Sequence, residues 1–246
     1  MDTVTAPPAA PGPPETSPST PLWEDFLDIF YAPTKVFERR RGARFGLLLV
    51  IVTILVGVLF VAMQQALAPA FAAEMQRGME AAARNGRAMS AEQMASAQKI
   101  GTIVAAVVAF ISVPVGVVVL GLILWAVAKA FGSTASVGAA MLIATYGEFP
   151  KILGELAGVV EGLVSSPATV WSASFSAARF MDPDTPRALL AAAAHVDVFA
   201  IWSAVLLGIG IHVIGRIPKA QACVTAIIMW VVAALPTVLG AAMSRG

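Results

Sequence analysis

The sequence predicts an all-α fold, a polytopic membrane bundle of five transmembrane helices preceded by a short amphipathic helix. Three observations carry that expectation. Five apolar runs, at residues 45–69, 101–128, 137–163, 198–214 and 222–242, divide the chain. A run of about 18 or more residues with almost no charge can cross a hydrocarbon layer about 30 Å thick as a helix. Charged residues make up 13% of the 246 and hydrophobic residues 58%, too little polar surface to wrap a soluble domain of this size. Finally, Lys and Arg concentrate in the short segments beside the runs, as the loops on the cytoplasmic side of a membrane protein do.

Residues 1–21 read as a disordered, Pro-rich cytoplasmic tail, with seven prolines among Ala, Ser and Thr and nothing apolar to bury. Residues 22–44 form the next unit, an amphipathic and basic juxtamembrane segment. Thr20 suits a helix cap and Pro21 a first helical position. Trp23, Phe26, Leu27 and Phe30 then follow the i, i+3, i+4, i+7 spacing of one face, with Glu24, Asp25 and Asp28 elsewhere on the wheel. Such a helix suits the membrane surface or packing against the bundle. Pro33 ends it, and Thr34 is placed to cap a stretch carrying Arg39, Arg40, Arg41 and Arg44 into the first span. Those arginines serve as a topology signal or meet anionic headgroups.

Residues 45–243 are the five-helix domain. Its first external connection reads as a helical hairpin turning at Asn85–Gly86, with Ser90 and Gln93 as a capping box. Met75, Met79, Met89 and Met94 in that region read as packing rather than a metal site. In the second connection, 165–167 is a stop and 182–186 a turn, after which a helix from Pro186 is expected to run unbroken into the fourth span. Lys129, Arg216 and Lys219 lie in the short loops, on the side of the N-terminal arginines. That places the N-terminus in the cytoplasm and the C-terminus outside.

The third run is unusual. It carries Tyr146, Gly147, Glu148, Phe149, Pro150 and Lys151, then Glu155. Glu148, Lys151 and Glu155 fall near one helical face, so both carboxylates can neighbour one ammonium. Pro150 removes a backbone donor, and a kink or break near 146–150 follows. This intramembrane polar group of Tyr146, Glu148, Lys151 and Glu155 is either a packing element or the lining of a transport path.

Chemical signatures are sparse. The sequence has no phosphate-cradling Gly-rich loop, no His-Glu-x-x-His and no Gly-x-Ser-x-Gly. Cys223 is the only cysteine, and His195 and His212 the only histidines. The chain is therefore expected to have no catalytic, cofactor-binding or metal-binding residues, to be no enzyme and to need no cofactor. A net charge of +1 without a basic stripe argues against nucleic acid. Gly208 and Gly210 lie within an apolar helix, where they permit close helix contact.

The stretch from Trp23 to Phe37, with Tyr31-Ala32-Pro33 and then Phe37, resembles the entry segment of the Yip1 family. The segment 196–210 and the basic loop from Arg216 to Lys219 resemble the same family, and the similarity spans about residues 23–242. Two departures are visible. Asp28 stands one position earlier than in the Asp-Leu-Tyr-Gly-Pro element of eukaryotic members, with Ala32 in place of Gly. Tyr146-Gly147-Glu148-Phe149-Pro150 likewise alters their Gly-Tyr-x-x-x-Pro. The resemblance implies a non-enzymatic, multi-pass membrane protein that acts by interaction or organisation, of a prokaryotic kind in the bacterial inner membrane. Its expected partners are membrane lipids, other membrane proteins or further copies of itself, with Trp23, Phe26, Phe30, Tyr31 and Pro33 as the contact. The alternative is a small transporter or channel using the charged third span.

Overall fold

The computed structural model describes residues 21–84, 90–165, 167, 170–182 and 184–243. Among these residues the chain is helical and has no strand. Thr20, the 1–20 part of the tail, Gly86 and Met89 lie outside them.

Helix α1 covers Leu22–Tyr31, with Pro21 as its N-cap rather than its first helical residue. Helix α2 covers Pro33–Arg39; Pro33 fills its first turn, where a missing N–H costs nothing, and Thr34 lies inside the helix rather than capping it. The expected continuous entry into the membrane is broken. Residues 40–45 turn through Gly42, whose φ of +78° is a left-handed conformation that glycine adopts without penalty. Helix α3, Gly46–Ala66, is the first span.

Helix α4, Ala68–Arg84, and α5, Ala91–Ala130, follow. The predicted capping box opens α5: the Gln93 amide donates to Ser90 Oγ at 3.2 Å and the Ser90 amide donates to Gln93 Oε1 at 2.9 Å. At 40 residues α5 is about 60 Å long at 1.5 Å per residue, twice the hydrocarbon thickness, so the helix feeding the second span is continuous with it.

The third run divides as its sequence predicts. Helix α6, Val137–Tyr146, and α7, Phe149–Ser165, are separated by a turn at Gly147 and Glu148, with Pro150 in the first turn of α7. At 10 and 17 residues, each piece alone is shorter than the 18 residues set for a single spanning helix. The described residues thus contain four single helices long and apolar enough to span, not five.

Two 3₁₀ turns, Trp171–Ala173 and Ala177–Phe180, then lead to α8, Arg187–His195. The expected unbroken passage from α8 into the fourth span is also contradicted. Val196 and Asp197 interrupt it, and the Asp197 carboxylate accepts from the amides of Phe199 at 2.8 Å and Ala200 at 3.0 Å, starting α9, Val198–Gly215, as a separate helix. Helix α10, Lys219–Met243, is the last among the described residues and follows Arg216, which takes a left-handed φ of 57°.

The core gathers Val36 and Phe37 from α2, Leu48 and Val52 from α3, Leu124 from α5, Ile143 and Tyr146 from α6, and Leu206 and Ile211 from α9. Close helix approach depends on the glycines of α9. A Cβ on Gly208 would lie 3.0 Å from that of Ala226, and one on Gly210 would lie 2.6 Å from Ile143 Cγ2. The outward faces are apolar instead of charged: Leu47, Val50, Ile54 and Val58 on α3, Ile103, Val107 and Ile111 on α5, and Ile227, Val231 and Leu235 on α10. Surfaces of that kind fit lipid tails as solvent.

The basic loops meet at one end of the bundle. Arg41 Nη2 donates to the Val213 carbonyl at 2.9 Å, and the Thr134 amide donates to the Gly215 carbonyl at 3.0 Å.

Candidate interaction site and intramembrane cavity

Helix α1 has two apolar stripes, and packing decides which one turns inward. The buried face carries Ile29 and, at its centre, the fully buried carboxylate of Asp25. Phe26 packs against Phe149 of α7 with ring centroids 4.5 Å apart and the rings tilted by 38°, and Phe30 also packs on the core. Outward point Trp23, Leu27 and Tyr31, which are 63%, 58% and 73% exposed. Their i, i+4, i+8 spacing makes one continuous stripe. Of the five residues expected to form the contact, Trp23 and Tyr31 are thus exposed, whereas Phe26, Phe30 and Pro33 are half-buried.

Taking an unpaired carboxylate out of water costs several kcal/mol, so Asp25 requires compensation. It has it on every side. Arg39 binds Oδ1 through Nε at 2.8 Å and Nη2 at 2.5 Å, and Arg40 Nε donates to Oδ2 at 2.7 Å. The Tyr146 hydroxyl, from the end of α6, donates to the same Oδ2. The four acceptor positions of the carboxylate are filled. Phe37 closes this corner by meeting Tyr146 edge-on, ring centroids 5.7 Å apart.

A second acid extends the clamp toward solvent. Asp28 accepts from Arg39 Nη1 at 2.6 Å and from the Tyr31 hydroxyl at 2.7 Å. The Tyr31 hydrogen bond and then Arg39 hold the Asp28 carboxyl below its ordinary range, and the same bond to Asp28 raises the Tyr31 hydroxyl above its own. Arg39 and Arg40 are therefore engaged by acids of α1 and not left to headgroups. The residue that sequence reasoning missed is Asp25. Its signal was available: Leu22, Asp25, Phe26 and Ile29 also follow i, i+3, i+4, i+7, an apolar face interrupted by one charge.

The polar group predicted in the third run separates into two. Tyr146 belongs to the clamp. Glu148, Lys151 and Glu155 line a cavity of about 420 Å³ between α7, α9, α10 and the segment around Trp171. Lys151 Nζ donates to Glu148 Oε1 at 2.8 Å, while the buried Glu155 Oε2 has no hydrogen-bond partner. His195 and Asp197 reach the same cavity, brought together by the break between α8 and α9. His195 Nε2 donates to the Trp230 carbonyl at 2.7 Å, and Asp197 is occupied as the cap of α9. His212 lies apart, with Nδ1 donating to the Ile217 carbonyl at 2.7 Å where α9 ends.

The family model described as Yip1 domain matches residues 27–240, which takes in half of α1, α2 to α9, most of α10, the clamp residue Tyr146 and the cavity. Neither a curated protein nor a solved structure matches the chain. With nearly the whole chain matched, the chain belongs to the Yip1 family of membrane proteins.

Proposed function

We propose that this protein is a non-enzymatic organising factor of the membrane, and that the outer stripe of α1 is its contact surface. The observation that carries the reading is the Asp25 clamp. By fixing α1 to the end of α6, it presents Trp23, Leu27 and Tyr31 as a rigid apolar edge beside the basic end of the bundle. Trp and Tyr with one apolar and one polar end favour the headgroup level of a bilayer, and a helix held there shapes lipid packing and meets neighbouring membrane proteins or further copies. The concentration of Lys35, Arg41, Arg44, Lys129, Arg216 and Lys219 in the short segments beside the apolar runs supports a cytoplasmic N-terminus, and the departures at 28–33 and 146–150 from the eukaryotic motifs support a prokaryotic kind of chain in the bacterial inner membrane.

The test is quenching of Trp23 in vesicles made with brominated lipids. The Trp23 signal is isolated as the difference between the native chain and Trp23→Phe. Strong quenching by bromine near the headgroups is the expected result. A Trp23 signal that bromolipids leave untouched contradicts a membrane-facing α1.

A further inference from the structure

The cavity beside α7 holds more unanswered polarity than packing requires. Glu155 Oε2, Ser203 Oγ and Trp230 Nε1 are buried, have no hydrogen-bond partner and belong to residues that line it. Ser203 is only 7% exposed. Native structures seldom leave such groups unsatisfied, and each costs about 1–3 kcal/mol when it stays so. The charges of the lining do not balance either. Glu148, Glu155 and Asp197 stand against Lys151 alone; Lys151 is bonded to Glu148 and Asp197 accepts from the first amides of α9, which leaves Glu155 without a bonded counter-ion.

We propose that this cavity binds a primary ammonium group carried on an apolar body. The ammonium donates to Glu155 Oε2 and Ser203 Oγ, while the indole N–H of Trp230 serves an acceptor atom elsewhere on the ligand. Trp171, Phe175 and Phe199 supply aromatic lining, and about 420 Å³ lies within the usual range of small-molecule sites. A hard metal ion fits poorly, since six or more oxygen ligands are wanted and no group of three or more His, Cys, Asp or Glu side chains among the described residues is placed to hold one. An anion meets the wrong charge. The same ammonium chemistry is offered by a free alkylamine and by the ethanolamine headgroup of a phospholipid. The site is independent of the α1 surface, so either proposal can fail alone.

The test titrates the purified full chain in detergent with 2-phenylethylamine and with its N-trimethyl analogue, which has no N–H to donate. In parallel, native mass spectrometry measures retention of phosphatidylethanolamine against phosphatidylcholine. Selective binding of the primary amine identifies a free-amine site, and selective retention of phosphatidylethanolamine a headgroup site. Either preference is expected to weaken by about tenfold or more in Glu155→Gln, a loss equal to about 1.4 kcal/mol or more. Ser203→Ala, a smaller change that keeps the charge, is expected to weaken it as well and serves if Glu155→Gln fails to fold. The inference is overturned if neither arm prefers the primary ammonium, or if both variants bind like the native chain.

Discussion

A carboxylate surrounded by four donors is the residue on which the position of α1 depends. Removing one partner of a buried ion pair costs about 3–5 kcal/mol, because the charges left behind stay dry. Here Arg39 and Arg40 keep 24% and 16% of their side-chain exposure and can rehydrate in part. Asp25→Ala is therefore expected to cost about 2–3 kcal/mol, less than a fully buried pair would. Tyr146→Phe removes one hydrogen bond to a charged acceptor and should cost about 1.5–3 kcal/mol. Thermal unfolding in detergent measures both, and a variant melting like the native chain would refute the role given to its side chain. Asp28 and Tyr31 add a weaker, solvent-screened dependence on pH. Since folding lowers the Asp28 pKa, its contribution is present above the ordinary value of 3.8 and fades as pH falls through the lowered one. Since folding raises that of Tyr31, its contribution is present below 10.0 and fades as pH rises through the raised value. Tyr31→Phe should abolish the alkaline loss of α1 protection from proteolysis and reduce the acid one. An unchanged alkaline limb would exclude the Tyr31–Asp28 bond as its source.

At the scale of elements, boundaries follow local chemistry wherever a single residue type decides them. Ser90 with Gln93 and Pro150 each mark a helix start or break readable from neighbouring letters. Asp197 was equally readable as a cap before an apolar run, yet the helical composition of 187–194 argued for continuity; the side chain's two amide acceptances outweigh it. The α1 stripe was not readable in this way. Both 22/26/29 and 23/27/31 are apolar at helical spacing, and the choice between them is made by Tyr146, 121 residues away. Periodicity reports amphipathicity, not the partner. The closeness of α9 to α6 yields a further prediction. Gly210→Leu forces a side chain into Ile143 and Phe37, and such overpacking costs about 1–3 kcal/mol. Gly240→Leu, on a glycine with open space around it, should be nearly neutral in the same melting assay. Equal effects at both positions would remove the argument for close packing.

For the whole molecule, the membrane character was fully legible, because long uncharged runs have few other stable fates. The division of its third run was less so. Composition treats 137–163 as one run, while the backbone divides it where Pro150 withholds a donor, and the two pieces are then committed to different tasks. Helix α6 ends on the clamp and α7 lines the cavity. The candidate site was legible in its membership and not in its grouping: Tyr146 stands beside Glu148 in sequence but belongs with Asp25 in space. Docking of the juxtamembrane helix onto the bundle through a buried charge is what joins residues 22–31 to the end of α6. Hydrogen–deuterium exchange over residues 22–31 tests it most directly, comparing the native chain with Asp25→Ala. The account predicts slow exchange in the native protein and fast exchange in the variant, with α9 and α10 equally protected in both. Exchange over α1 that is already fast in the native chain, or as slow without Asp25 as with it, would contradict it.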